Sequence, residues 1–185
     1  MEVRELAADE VETLVDELWL PFAREMAAAE PHDALAEEAT VRKEVVAYRR
    51  NRLDDPDVVT VLVVGEGETA PAGELVAYAE AEVRAPPPVF ERGPECYVHG
   101  VYVRPTHRGA GLADDLMARL EAWGRERGCE YATLDVHPGN EAAKALYDDR
   151  GYRLLREKLA LAQQRRWVPA LAQQRRLVTR CCARR

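Results

Sequence analysis

The chain has 185 residues, 47% of them hydrophobic, which is enough for one well-cored domain and too few for two. Seven arginines and no acid fall in residues 160–185, so residues 1–159 carry 19 basic against 33 acidic groups, a net of −14, and such a surface repels nucleic acid phosphates and suits a cationic partner or high-salt solvent. No apolar run approaches the ~20 residues of a membrane-spanning helix, and the charged opening MEVRELAADE is unlike a secretion signal.

The expectation is therefore a cytoplasmic protein with neither a membrane nor a nucleic acid partner. Cys96, Cys129, Cys181 and Cys182 show no paired C-x-x-C spacing and no clustered histidines, which argues against a disulfide framework and against a metal site.

MEVREL reads as a short strand, and residues 8–20 place Val11, Leu14, Val15 and Leu18 at helical spacing. Residues 21–33 are a loop on the substrate side or a continuation of that helix. A second helix is expected over residues 34–53, closed by Asp54-Asp55-Pro56. VVTVLVV (58–64), a turn-rich GEGETAPAG and ELVAYAEAEV (74–83) form a β-hairpin. Three consecutive prolines, 86–88, cannot enter a central strand, so residues 85–95 are a loop. CYVHGVYV (96–103) is a buried strand. The helix over residues 111–127 buries Leu112, Leu116, Leu120 and Trp123 and stops at Gly128. YATLDV (131–136) is a strand, residues 140–149 a short helix, and GYRLLREKLAL (151–161) a last strand. The order gives a mixed α/β fold.

ALAQQRRWVP (160–169) is followed at once by the near-duplicate ALAQQRRLVT (170–179), and the chain ends in RCCARR. Two copies are too few for a repeat architecture. The reversal of charge marks residues 162–185 as a basic tail appended to a domain of residues 1–161, or as an arm for an acidic partner.

A strand that breaks into Arg108-Gly109-Ala110-Gly111 and then starts a helix has the geometry of an anion site. The first N–H groups of a helix have no internal acceptor and lie at the positive end of its dipole. Glycine lets the backbone approach an anion and take conformations closed to other residues. Neither G-x-x-x-x-G-K-S/T nor G-x-G-x-x-G is present. Taken alone, the turn is equally readable as a helix start.

Arg108-Gly109-Ala110-Gly111-Leu112-Ala113 resembles the Gln/Arg-x-x-Gly-x-Gly/Ala pyrophosphate loop of the GNAT N-acetyltransferase superfamily. Residues 140–152, NEAAKALYDDRGY, resemble its second signature, Asn-x-x-Ala-x-x-Leu-Tyr-x-x-x-Gly-Phe/Tyr. The motif resemblance covers residues 96–152, and element order extends it to residues 1–161. It implies a central, mixed, mostly antiparallel sheet flanked by helices, with acetyl-CoA as cosubstrate and no metal. The implied reaction is direct transfer of the acetyl group to a primary amine in a ternary complex. The alternative is a non-catalytic acyl-CoA binding or sensing module.

The resemblance assigns the pyrophosphate to the loop from Arg108 to Ala113, the pantetheine arm to the backbone of Val101, Tyr102 and Val103, and a further cofactor hydrogen bond to Asn140. Asn140 is equally suited to cap its helix. Tyr147 matches the family tyrosine that protonates the leaving thiolate, a task that a phenol with a pKa of ~10 can perform; its other reading is packing between helix and sheet. For the base, His99 stands near the family position and titrates close to neutrality, with Glu95 as the competing residue. The acceptor pocket is expected from residues 19–33 and 86–94, with Trp19, Phe22, Met26, Val89 and Phe90 as an apolar wall and Glu25, Glu30, Asp33 and Glu91 attracting a cation. The acceptor itself is left open between a small molecule and a protein amine. Dimers are common in the family, so a homodimer is compatible with the resemblance.

Overall fold

The β-branched run of residues 58–64 forms β2 (Val58–Val64) and pairs antiparallel with β3 (Leu75–Arg84), so the expected hairpin is present. β1 (Glu2–Glu5) lies on the outer side of β2, and β4 (Glu95–Val103) lies beyond β3, both antiparallel. β5 (Tyr131–Leu134) closes the order β1-β2-β3-β4-β5 and runs parallel to β4. This computed structural model describes residues 1–161. The expected basic tail, with Cys181 and Cys182, lies outside the described residues.

The alternation AYAEAEV in β3 sorts the two faces of the sheet. Ala77, Ala79 and Ala81 point to one side, where their small side chains let α4 (Leu112–Glu126) lie close over the strands. Leu116, Met117, Leu120 and Trp123 of α4 are buried there, each contributing about 1.5–3 kcal/mol. Helix α5 (Glu141–Asp149) adds Leu146 and Tyr147 to the same layer.

The other face is covered by α1 (Val11–Leu14), a π-helical turn (Val15–Trp19) and α2 (Leu20–Ala29), which follow one another without a break. Residues 21–29 thus continue the helix. The wide turn ends two residues before Pro21, whose ring removes a backbone donor and crowds the preceding turn. Helix α3 (Glu38–Asn51) begins later than residue 34 because Glu37 caps it, accepting from the N–H groups of Ala39 (3.2 Å) and Thr40 (3.0 Å). Two arginines one turn apart dock the end of α3 on β3: Arg49 reaches Glu80 at 2.5 Å and Arg52 reaches Glu82 at 2.7 Å.

One expected element is absent. Residues 151–161 form no strand, and Leu154, Leu155, Leu159 and Leu161 are exposed. β5 is the last strand of the sheet and its outer edge is left open by this segment among the described residues; the adjacent Leu154 and Leu155 cannot both face one side of a sheet.

Candidate active site

The apolar residues of β4 change phase along the strand: Cys96 and Val98 face α4, and then Val101 and Val103 do. The shift is a β-bulge. Ala81 pairs with Val98 and Glu80 with Gly100, so His99 has no cross-strand partner on β3. On its other side β4 loses β5 at the same level, because Val98 with Leu134 is the last pair. From His99 to Val103 the edge of β4 therefore offers its main-chain groups to an extended ligand. Phe22 of α2 closes over this point: an added Cβ on Gly100 would stand 3.2 Å from its ring. Trp19 and Phe22 pack into the core, whereas Val89 and Phe90, also expected at the acceptor wall, are exposed.

Past Val103, Arg104 anchors the chain by donating its N–H to Val76 O at 3.0 Å and its Nε to Leu75 O at 2.6 Å. A turn of 3-10 helix (Pro105–His107) leads to the glycines. Gly109 and Gly111 have φ of +79° and +82°, a region that other side chains rarely enter. A Cβ at either would meet nothing within 4 Å, so it is backbone conformation, and no steric contact, that requires glycine here. Gly111 starts α4 without any side-chain cap, and the first main-chain bond of the helix runs from Asp115 N–H to Gly111 O. The N–H groups of Leu112, Ala113 and Asp114 precede that bond at the positive end of a four-turn helix. Arg108 stands beside them, its Nε donating to Val103 O at 2.9 Å.

Asn140 accepts from Ala143 N–H at 3.1 Å and is the cap of α5. That bond uses its side-chain oxygen and leaves the amide N–H₂ for another acceptor. Arg150, the C-cap of α5, ties that end of the helix to α4 through Glu121 (Nε 3.0 Å, Nη2 2.7 Å) and Asp114 (2.5 Å), which fixes α5 against α4. Tyr147 packs against the α4 layer and lies 5.7 Å from the ring of Tyr152. Burial pushes its phenol above the ordinary value, so it stays protonated at neutral pH.

The two base candidates differ in place. Glu95 sits within the stretch where β4 is still paired to β5, opposite Tyr131, and is held by Arg92 at 3.0 Å. His99 is the first residue beyond that pairing, partly exposed, with Nε2 3.2 Å from Glu82 Oε1. Glu82 was not singled out in the sequence. The signal was present in the alternation of Glu80 and Glu82 with alanines, which puts two acids on one face of a central strand. Burial opposes ionisation of Glu82, but hydrogen bonds from Arg84 and Arg52 and the neighbouring His99 prevail and hold it at about 2.

Among the described residues no cysteine is primed as a nucleophile. Burial pushes the Cys96 thiol up to about 12 and raises that of Cys129 as well. Among the described residues no group of His, Cys, Asp and Glu is arranged to hold a metal, and no helix is long and apolar enough to cross a membrane.

A sequence model described as the acetyltransferase (GNAT) family matches residues 13–152. The chain belongs to the GNAT acetyltransferase family. Its similarity to characterised members is distant. Aminoglycoside N(6')-acetyltransferase type 1 of Salmonella typhimurium is 26% identical over 84 residues, 43% of this chain and 56% of that protein. The match thus spans little more than half of that GNAT relative. A variant of a Bacillus halodurans protein has the same fold, with a TM-score of 0.75 at 19% identity, covering 89% of this chain and 100% of that one. A predicted acetyltransferase from Clostridium acetobutylicum, solved with acetyl-CoA, gives 0.67 at 20% identity over 87% and 95% of the two chains.

Proposed function

We propose that this chain transfers the acetyl group of acetyl-CoA directly to the primary amine of a small, multiply protonated acceptor of the aminoglycoside kind. The observation that carries the reading is the coincidence at one level of β4: pairing to β5 ends at Val98 and Leu134, His99 bulges out, and the next residues lead into the uncapped start of α4. Acetyl-CoA supplies an activated acetyl group. The backbone of Val101, Tyr102 and Val103 binds its extended arm, and the loop Arg108, Gly109, Ala110, Gly111, Leu112 and Ala113 binds its pyrophosphate through N–H groups. Asn140 adds a hydrogen bond from its free amide. His99 takes one proton from the acceptor ammonium, the amine nitrogen bonds to the acetyl carbon as the carbon–sulfur bond breaks, Tyr147 gives its proton to the departing thiolate, and the second proton shed by the acetylated nitrogen restores the phenol.

The acceptor class is supported by the name of the Salmonella relative and by the net charge of −14 on residues 1–159, which draws cations towards the domain. Glu95 is left out of the chemistry because it stands where the strands are still paired.

The test combines calorimetric titration with acetyl-CoA and CoA with a free-thiol assay over aminoglycosides, polyamines and a lysine peptide. Saturable acetyl-CoA binding with thiol release on aminoglycosides supports the proposal. Binding without release on any amine replaces it with an acyl-CoA binding module, and release on the peptide alone moves the acceptor class to proteins.

A further inference from the structure

On the reading that His99 takes the acceptor proton, we propose that Glu82 is its positioning residue: a carboxylate presented across the strand that fixes the imidazole so that Nδ1 faces the acceptor. The bulge removes His99 from the β3–β4 ladder, so neighbouring side chains must hold the ring in one orientation. Glu82 Oε1 lies 3.2 Å from Nε2, and the carboxylate favours the tautomer that keeps the proton on Nε2 and the lone pair on Nδ1. Tyr97 supplies a wall, its ring 5.0 Å from the imidazole at 83°. Tyr97 is fixed in turn by its hydroxyl on Asp135 at 2.9 Å and by the Arg84 guanidinium 3.4 Å from its ring centre.

Glu82 is itself immobilised from two elements. Arg52, at the end of α3, reaches its Oε2 at 2.7 Å, and Arg84, two residues along β3, donates Nε to Oε1 at 2.6 Å. The charged and titratable groups around the imidazole are thus Glu82 and Arg84 from β3, Arg52 from α3, and Tyr97 with Asp135 behind it; the neighbouring Glu80 is taken up by Arg49. When the acceptor proton arrives on Nδ1, the imidazolium stands against a carboxylate that is already ionised. No residue needs to rearrange for that charge to be met. The two arginines temper the carboxylate, so the histidine can still release its proton at the end of the cycle.

The experiment is a cycle of wild type, Glu82→Gln, His99→Ala and the double variant, measured as kcat and acceptor kcat/KM against pH, with CoA affinity by calorimetry. Gln keeps an acceptor oxygen and removes the charge. The expected result for Glu82→Gln is a kcat about tenfold lower, an acid limb of kcat/KM displaced to lower pH and unchanged CoA affinity. The double variant should be no slower than His99→Ala alone, because Glu82 acts only through the ring. An unmoved acid limb, or losses that multiply in the double variant, overturns the positioning role while leaving His99 as base. A His99→Ala enzyme at wild-type rate overturns the base reading itself. If Glu82→Gln lacks a cooperative melting transition, Glu82→Asp retains the charge for Arg52 and Arg84 and withdraws the carboxylate from the ring. It should lower kcat only where His99 is present, and an equal loss without His99 overturns the proposal.

Discussion

Arg108 donates from Nη2 to both carboxylate oxygens of Glu25, at 2.8 and 2.9 Å, and so joins the glycine loop to helix α2. The pair is about half exposed, so its strength is that of a surface ion pair, about 0.2–1 kcal/mol. A phosphate arriving at the loop competes with Glu25 for the same guanidinium. Glu25→Gln is therefore expected to tighten CoA binding by about 1.4- to 5-fold, and the gain should shrink at molar salt. Titration calorimetry at both salt concentrations checks this; weaker binding in the variant would mean that Glu25 holds Arg108 in its binding position.

Gly111→Ala forces a side chain to φ +82° with open space around it. The expected cost in stability is about 1–2 kcal/mol. CoA affinity should fall as well, since relaxation of the strain turns the N–H groups at the start of α4. Denaturant unfolding and calorimetry measure the two effects separately.

Tyr147→Phe keeps the packing against the α4 layer and removes only the hydroxyl. A kcat about 100-fold lower with unchanged CoA affinity is expected if the phenol protonates the thiolate. A rate equal to wild type from pH 6 to 9 would leave Tyr147 with packing alone.

The Glu82 carboxyl is depressed from its ordinary 4.5 to about 2, so the folded state binds fewer protons than the unfolded chain between those values. Its contribution to stability is complete above pH 4.5 and is lost as pH falls through that window. Glu82→Gln should be less stable than wild type at pH 7, by about 1–2 kcal/mol because Arg52 and Arg84 keep some contact with water. The difference should narrow towards pH 2. Melting temperatures of both proteins from pH 7 to 2 provide the comparison.

The sequence by itself determined what depends on periodicity and local backbone. The hairpin of residues 58–64 and 74–83, the helix that follows Gly111 and the Asn140 cap were all legible, because apolar spacing, positive-φ glycine and capping chemistry act over a few residues. The family, too, was legible in two short motifs. Tertiary structure alone decided which polar residues meet. Glu82 and His99 are 17 positions apart and become neighbours only through the β3–β4 register and its bulge. Glu25 and Arg108 are joined only through the packing of α2 beside the end of β4, and it is the β4–β5 register that sets Glu95 in the paired stretch, short of the bulge at His99. The strand expected at residues 151–161 is likewise absent although, among the described residues, the outer edge of β5 stands free: whether an apolar segment joins a sheet edge depends on tertiary contacts, and local sequence carries no record of them.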